Sequence, residues 1–346
     1  MSTQPSPSYS DGGDRIVAYA IDLTVVSTLV TVILAHLGIA PIIFIFLVVY
    51  SLNFGSLLQL PVAPVAKTVL ALLVVGVAYF SVEPFIGGSP GKRITSQRLV
   101  LRRDVSGGPI PKVLARALLK ATVIPAILDG FGLIRRRRIP TRFSDERLGF
   151  VVVYASNAQS YRRRTLGYFA GSALIHFLPL LVAILSVSFL SEFSAQTQSQ
   201  PLDPSLLKGL TFWNVFWIII GNNLGLDLRF IIGGLLLLLP TLLSVFLSAF
   251  LDGALLASIP QGTSASLIPE FLPQFLLETG GYVFGILSGC LLLNLTMGVV
   301  MTYTRGTRID SYGARYRYEI RFVILTALVS LVLIALGALV ESYQIA

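Results

Sequence analysis

The polarity pattern of this chain is a succession of long apolar runs separated by short, basic segments. Runs of about 20 apolar residues are long enough to cross a ~30 Å hydrocarbon core as helices. Such runs cover residues 16–37, 42–60, 65–86, 166–190 and 230–257, a stretch that closes near Val300, and residues 320–340. The second is broken by Asn53 and Gly55 and ends at Pro61 and Pro64, so it reads as a span or a re-entrant segment. Between Pro111 and Lys120 the period becomes amphipathic. Lys112, Arg116 and Lys120 recur at i, i+4 and i+8, one basic stripe on an otherwise apolar helix. Basic residues on both its flanks, with Pro125, Gly130 and Gly132 behind it, suit an interfacial helix or a re-entrant hairpin. The pattern predicts an all-α fold: a polytopic transmembrane helical bundle of about seven to nine membrane segments, re-entrant or interfacial helices included.

Composition sharpens this. The chain is 54% hydrophobic and 12% charged with mean hydropathy +0.80, about half the charge of a soluble domain. Net charge is +9, and 17 of the 26 Lys and Arg lie between Lys92 and Arg164, with five more from Arg305 to Arg321. Between membrane runs such clustering follows the positive-inside rule, so the basic loops are expected on the cytoplasmic side of a cell membrane rather than on nucleic acid. The anionic leaflet then makes Lys112, Arg116, Lys120, Arg135, Arg136, Arg137 and Arg138 candidates for lipid-headgroup contact. The N-terminal side follows from the count: with two of the first three runs crossing it is cytoplasmic, with three it is external. Residues 1–13 read as a disordered tail, not a signal peptide.

Chemistry is sparse. One cysteine, Cys290, and two distant histidines, His36 and His176, give no metal site and no cofactor site. The segment from Gly87 to Lys92 lacks the spacing of a phosphate loop. No nucleophile–base arrangement is visible, so no enzymatic activity is expected. What stands out is charge inside apolar sequence. Arg15 and Asp22 share a helical face, and Asp22 lies ~10 Å further along the axis. With Glu83, Lys92, Arg93, Asp129, Asp145 and Glu278 they form the candidate set for an ion pathway or a polar latch. His176 reads first as a helix–helix hydrogen-bonding residue. Gly281, Gly285 and Gly289 form a stripe suited to close helix packing, and Phe212, Trp213, Phe216 and Trp217 suit a membrane interface.

The succession RIVAYAID, Glu83 before GGSPGKRITSQRLV, then DVSGGPIPKVLARALLK and RFSDERLGFVVV resembles the RDD family of membrane proteins over residues 14–155. The arginine and two aspartates of its name fall on Arg15, Asp22 and Asp145, while Ser144 stands where the family commonly has histidine. Residues 165–343, within a second membrane domain at 165–346, resemble the stage II sporulation protein M family. That likeness is carried by Asn222 and Asn223, Asp252 and Gly253, PQFLLETGGYVFGILSG and Glu341, with Gln274 in place of a family histidine. A basic linker at 156–164 would join the two units. The second resemblance implies a membrane scaffold or accessory subunit that docks a membrane protein partner or a second copy of itself. The alternative implied by the first is a cation/proton or small-solute transporter using membrane-embedded carboxylates.

Overall fold

The structure is a computed structural model that describes residues 11–37, 62–101, 109–122, 142–155, 161–186, 211–236, 238–258, 264–305 and 313–345. Its first unit begins with α1 (Gly12–His36), an apolar helix whose hydroxyls at Thr24 and Thr31 turn back onto the carbonyls of Ala20 and Ser27. Gly12 and Gly13 of the expected tail already belong to α1. Next come α2 (Val62–Val82), a Gly87–Gly88 turn in positive φ, and the short α3 (Pro90–Ile94), started by proline in its first turn. Then follow β1 (Gln97–Leu101), α4 (Pro109–Ala121), α5 (Phe143–Leu148) and β2 (Phe150–Tyr154).

The described residues are mostly helical, as expected, and two short strands add to the all-α pattern. β1 and β2 pair antiparallel, from Gln97 opposite Tyr154 to Leu101 opposite Phe150. Gly149 takes the left-handed conformation at φ 80° that stops α5, and the β-branched run Val151, Val152 and Val153 then extends. Partners about fifty residues apart leave no local periodic signal.

The second unit consists of α6 (Tyr161–Ser186), α7 (Phe212–Ile232), a 3-10 turn over Gly233–Leu236, α8 (Leu239–Ser258), α9 (Ser264–Arg305) and α10 (Gly313–Ile345). The run expected over 230–257 is therefore two helices, broken at the glycine pair and at Leu238, whose φ is 62°. Among the described residues five helical stretches are long and apolar enough to cross a membrane: Gly12–His36, Arg164–Leu185, Phe212–Leu236, Leu272–Thr304 and Arg317–Ile345. Ala66–Val82 is a shorter apolar helix, and the run at 42–60 lies outside the described residues.

One apolar core joins the two halves. Val17 and Ile21 of α1 pack with Tyr168 and Ile175 of α6, Phe230 of α7, Ile286 and Cys290 of α9, and Ile334 of α10. Residues 161–164, expected in a linker, form the first turn of α6, and Arg164 reaches back to Asp11 at 3.3 Å.

Candidate functional site

The polar centre of the first unit is assembled from four short elements around Glu83. This residue directly follows α2 and is fully buried. Lys92 of α3 forms an ion pair with its Oε1. Arg116 Nη1 and Lys120 Nζ of α4 meet its Oε2 at 2.6 and 3.0 Å. Arg116 also donates from Nε to Asp145 of α5 at 2.7 Å, so its fork bridges the two acids. Arg116 is 2% exposed and Lys120 3%. Five residues, Glu83, Lys92, Arg116, Lys120 and Asp145, are thus tied by charge across four elements.

The charges decide each other's state. Burial alone raises a carboxyl, but Arg116, Lys120 and Lys92 together hold Glu83 well below the ordinary value. Asp145 is lowered against the same penalty by Arg116, Arg142 and Arg15. Burial opposes the charged form of Arg116, and the two acids outweigh it, so Arg116 rises. Lys120 is lowered well below its usual value: burial is the main cause, Glu83 opposes, and Lys92 and Arg116 add to the lowering. Aromatic faces carry some of the surplus positive charge. Lys120 Nζ sits 4.1 Å above the Phe80 ring and the Arg116 guanidinium 5.1 Å from that of Phe150.

Asp22 has its own shell and is not the partner of Arg15. It accepts from Ser89 Oγ at 2.6 Å, the Gly91 amide at 2.9 Å and Tyr79 Oη at 2.9 Å. The Gly91 contact needs glycine, because a Cβ there would collide with the Ala18 carbonyl. Arg15 instead donates from Nη2 to the Val152 carbonyl of β2 at 2.9 Å, and Asp145 lies within its electrostatic reach.

Other expected residues lie elsewhere. Arg93 is exposed, donating to the Ile86 carbonyl at 2.7 Å. Asp129 and Arg135, Arg136, Arg137 and Arg138 fall outside the described residues. The stripe expected at lipid headgroups turns inward at Arg116 and Lys120, while Lys112 is half-buried. The opposite face of α4 is the exposed one, with Ile110 at 64% and Leu114 and Leu118 each at 49%. This amphipathic helix is inverted, polar face inward, because the buried acids outbid the headgroups for its cations.

Asp14 was not legible as a site residue. It is fully buried and accepts from the hydroxyls of Tyr154 and Tyr168, with Arg164 Nη1 at 3.8 Å. Its only sequence signal is its place beside Arg15 in a first helical turn. Burial, with Asp14 and Asp11 adding, pushes the Tyr154 hydroxyl above its usual value, so it stays a donor.

In the second unit Glu278 accepts from Asn223 Nδ2 at 2.7 Å, and Asp227, one turn beyond Asn223, accepts from Ser330 at 2.8 Å. His176 is fully buried against the Tyr282 and Phe177 rings, and neither of its ring nitrogens has a hydrogen-bond partner among the described residues. The expected interhelical hydrogen bond is therefore absent there. The stripe of Gly281, Gly285 and Gly289 does face neighbours: Ile334 of α10, Asp227 of α7 and the Phe230 carbonyl. Among the described residues no group of three His, Cys, Asp or Glu is placed to hold a metal ion.

In the cluster around Glu83 both carboxylate oxygens accept from cations, Oε1 from Lys92 and Oε2 from Arg116 and Lys120. Its chemistry is that of a closed latch. No family model, curated protein or solved structure matches the chain.

Proposed function

We propose that this protein is an integral scaffold or accessory subunit of the cell membrane, one that docks a membrane protein partner or a second copy of itself through a pre-formed, rigid bundle. The observation that carries the reading is the closed state of the Glu83 cluster. An ion pathway needs carboxylates that exchange partners, whereas Glu83 and Asp22 are fully buried with every oxygen accepting. A locked polar centre holds surfaces in fixed relation, which is what docking requires. The motif likeness of the second half to the stage II sporulation protein M family supports the same assignment.

In this reading α2, α4 and α8 add membrane-embedded segments to the five long helices, giving eight, within the expected seven to nine. The exposed Ile110, Leu114 and Leu118 face lipid, and Trp213 and Trp217, 60% and 64% exposed, sit at an interface. The basic loops are cytoplasmic and meet anionic headgroups through Arg135, Arg136, Arg137 and Arg138.

The test is purification of the full chain from its native membrane in mild detergent. A partner present in constant stoichiometry, or a stable homo-oligomer, is the expected result. A lone monomer that catalyses cation-driven proton flux in vesicles, and loses it in Glu83→Gln, overturns the reading in favour of transport.

A further inference from the structure

Beside the Glu83 cluster three arginines gather around one acid. Arg116 of α4 donates from Nε to Asp145 at 2.7 Å. Arg142, the N-cap of α5, stands one helical turn before Asp145, and its guanidinium lies 5.1 Å from the Tyr19 ring centre. Tyr19 follows Arg15 by one turn on the same face of α1. Arg15 in turn donates from Nη2 to the Val152 carbonyl at 2.9 Å. Two residues earlier on β2, Phe150 has the Arg116 guanidinium 5.1 Å from its ring, which closes a circuit through α1, α5, α4 and β2. Asp145 accordingly feels Arg116, Arg142 and Arg15 together.

Arg116 is committed to Asp145 and Glu83. The other two arginines keep donors in hand. Nε and Nη1 of Arg15 and Nη1 of Arg142 are buried without a hydrogen-bond partner among the described residues, in residues 4% and 6% exposed. A guanidinium stays protonated, so it cannot escape burial by shedding its charge as a lysine can. The Val152 carbonyl satisfies one Arg15 donor but cancels no charge, and the Tyr19 ring gives Arg142 only a partial counter-charge. The nearby acids are already taken: Glu83 by Lys92, Arg116 and Lys120, Asp145 by Arg116, and Asp22 by neutral donors. Three described acids thus stand against five cations, a surplus of two positive charges. Buried donors without acceptors and buried charge without a counter-ion are both costly.

We propose that Arg15 and Arg142 form a binding site for a phosphate group, carried by a phospholipid headgroup or by inorganic phosphate. Three donor nitrogens on two planar forks, presented from different elements, suit the several oxygens of a tetrahedral oxyanion. Its negative charge offsets the surplus that the protein's own acids leave. Both arginines are held from behind, Arg15 by a backbone carbonyl and Arg142 by an aromatic face, so the donors are placed before the ligand arrives. The site stands whether or not the bundle docks a partner, because it uses neither the Glu83 carboxylate nor a subunit contact.

Two arms of one experiment on the purified full chain, delipidated in mild detergent, test the site and separate the sources. In the first, inorganic phosphate is titrated at an ionic strength held constant with sodium chloride. At about 100 times the half-saturating concentration the unfolding midpoint should rise by about 5 °C. In the second, native mass spectrometry reads whether added phosphatidylglycerol stays bound at one molecule per chain. A response in the first arm alone assigns inorganic phosphate, and retention in the second assigns a headgroup. Either response should be lost in Arg15→Gln and Arg142→Gln and kept in Arg93→Gln, whose arginine is exposed. A wild type silent in both arms, or a response unchanged in Arg142→Gln, overturns the proposal. If Arg15→Gln does not fold, Arg142→Gln, whose guanidinium rests on a ring and not on a backbone carbonyl, decides alone.

Discussion

Replacing Glu83 by glutamine removes the one acid that Lys92, Arg116 and Lys120 share while keeping the side chain's shape. Arg116 keeps Asp145, but the two lysines, with side chains 7% and 3% exposed, are left without a carboxylate among their ion pairs. At an effective dielectric of about 20, a unit pair ~3 Å apart is worth roughly 5–6 kcal/mol before desolvation is counted. Much of that offsets the cost of burial, and breaking a buried pair typically destabilises by about 3–5 kcal/mol. At about 2 °C per kcal/mol, the low end for a chain longer than 250 residues, the unfolding midpoint should fall by roughly 6–10 °C. The assay is thermal unfolding of the purified protein in a single detergent. The double variant Glu83→Gln/Lys120→Met, which also removes the most weakly held cation, should recover part of the loss. pH supplies a second readout. Glu83 and Asp145 are lowered in the folded protein, so their stabilisation is complete above the ordinary values of 4.5 and 3.8 and is lost as pH falls through the folded ones. Glu83→Gln should therefore flatten the acid limb of the stability profile. A Glu83→Gln midpoint within about 1 °C of the wild type, against the fall expected for a broken buried pair, would refute the latch.

Other tests follow from particular contacts. Gly91→Ala should be strongly destabilising, since its Cβ meets the Ala18 carbonyl, whereas Gly221→Ala, with nothing within 4 Å, should be neutral or gain up to about 1 kcal/mol in thermal unfolding. Asp22→Asn should cost about 1–3 kcal/mol, because the amide NH2 faces donors that a carboxylate accepted, and the same melt measures it. A nitroxide on Leu114→Cys should be relaxed by lipid-dissolved oxygen far more than one on Ala117→Cys. The single native cysteine, Cys290, is fully buried and should not compete for the label.

Much of the organisation is legible in sequence because membrane helices announce themselves by length and apolarity alone. The run at 320–340 lies inside α10 and the run at 16–37 matches α1 to within a few residues. The candidate carboxylates were legible for the same reason: an acid in apolar sequence is conspicuous. Their partners were not. Arg15 and Asp22 share a face and an expected cluster, yet one binds a β2 carbonyl and the other a serine, an amide and a tyrosine. Asp227 has no such signal for its partner either, since the serine that donates to it, Ser330, lies 103 residues away.

By itself the sequence determined the class of the molecule, the position of its long helices and some of its buried charges, such as Asp22 and Glu83, since these are properties of single segments. Only the tertiary structure decided which way α4 faces, that two distant five-residue stretches pair as strands, and that Glu83 meets three cations while Glu278 meets the Asn223 amide. The stripe of Lys112, Arg116 and Lys120 suits a lipid surface as well as a buried acid. Periodicity fixes which residues share a face. What that face meets is settled by the strongest opposite charge that folding brings within reach, and here it is Glu83.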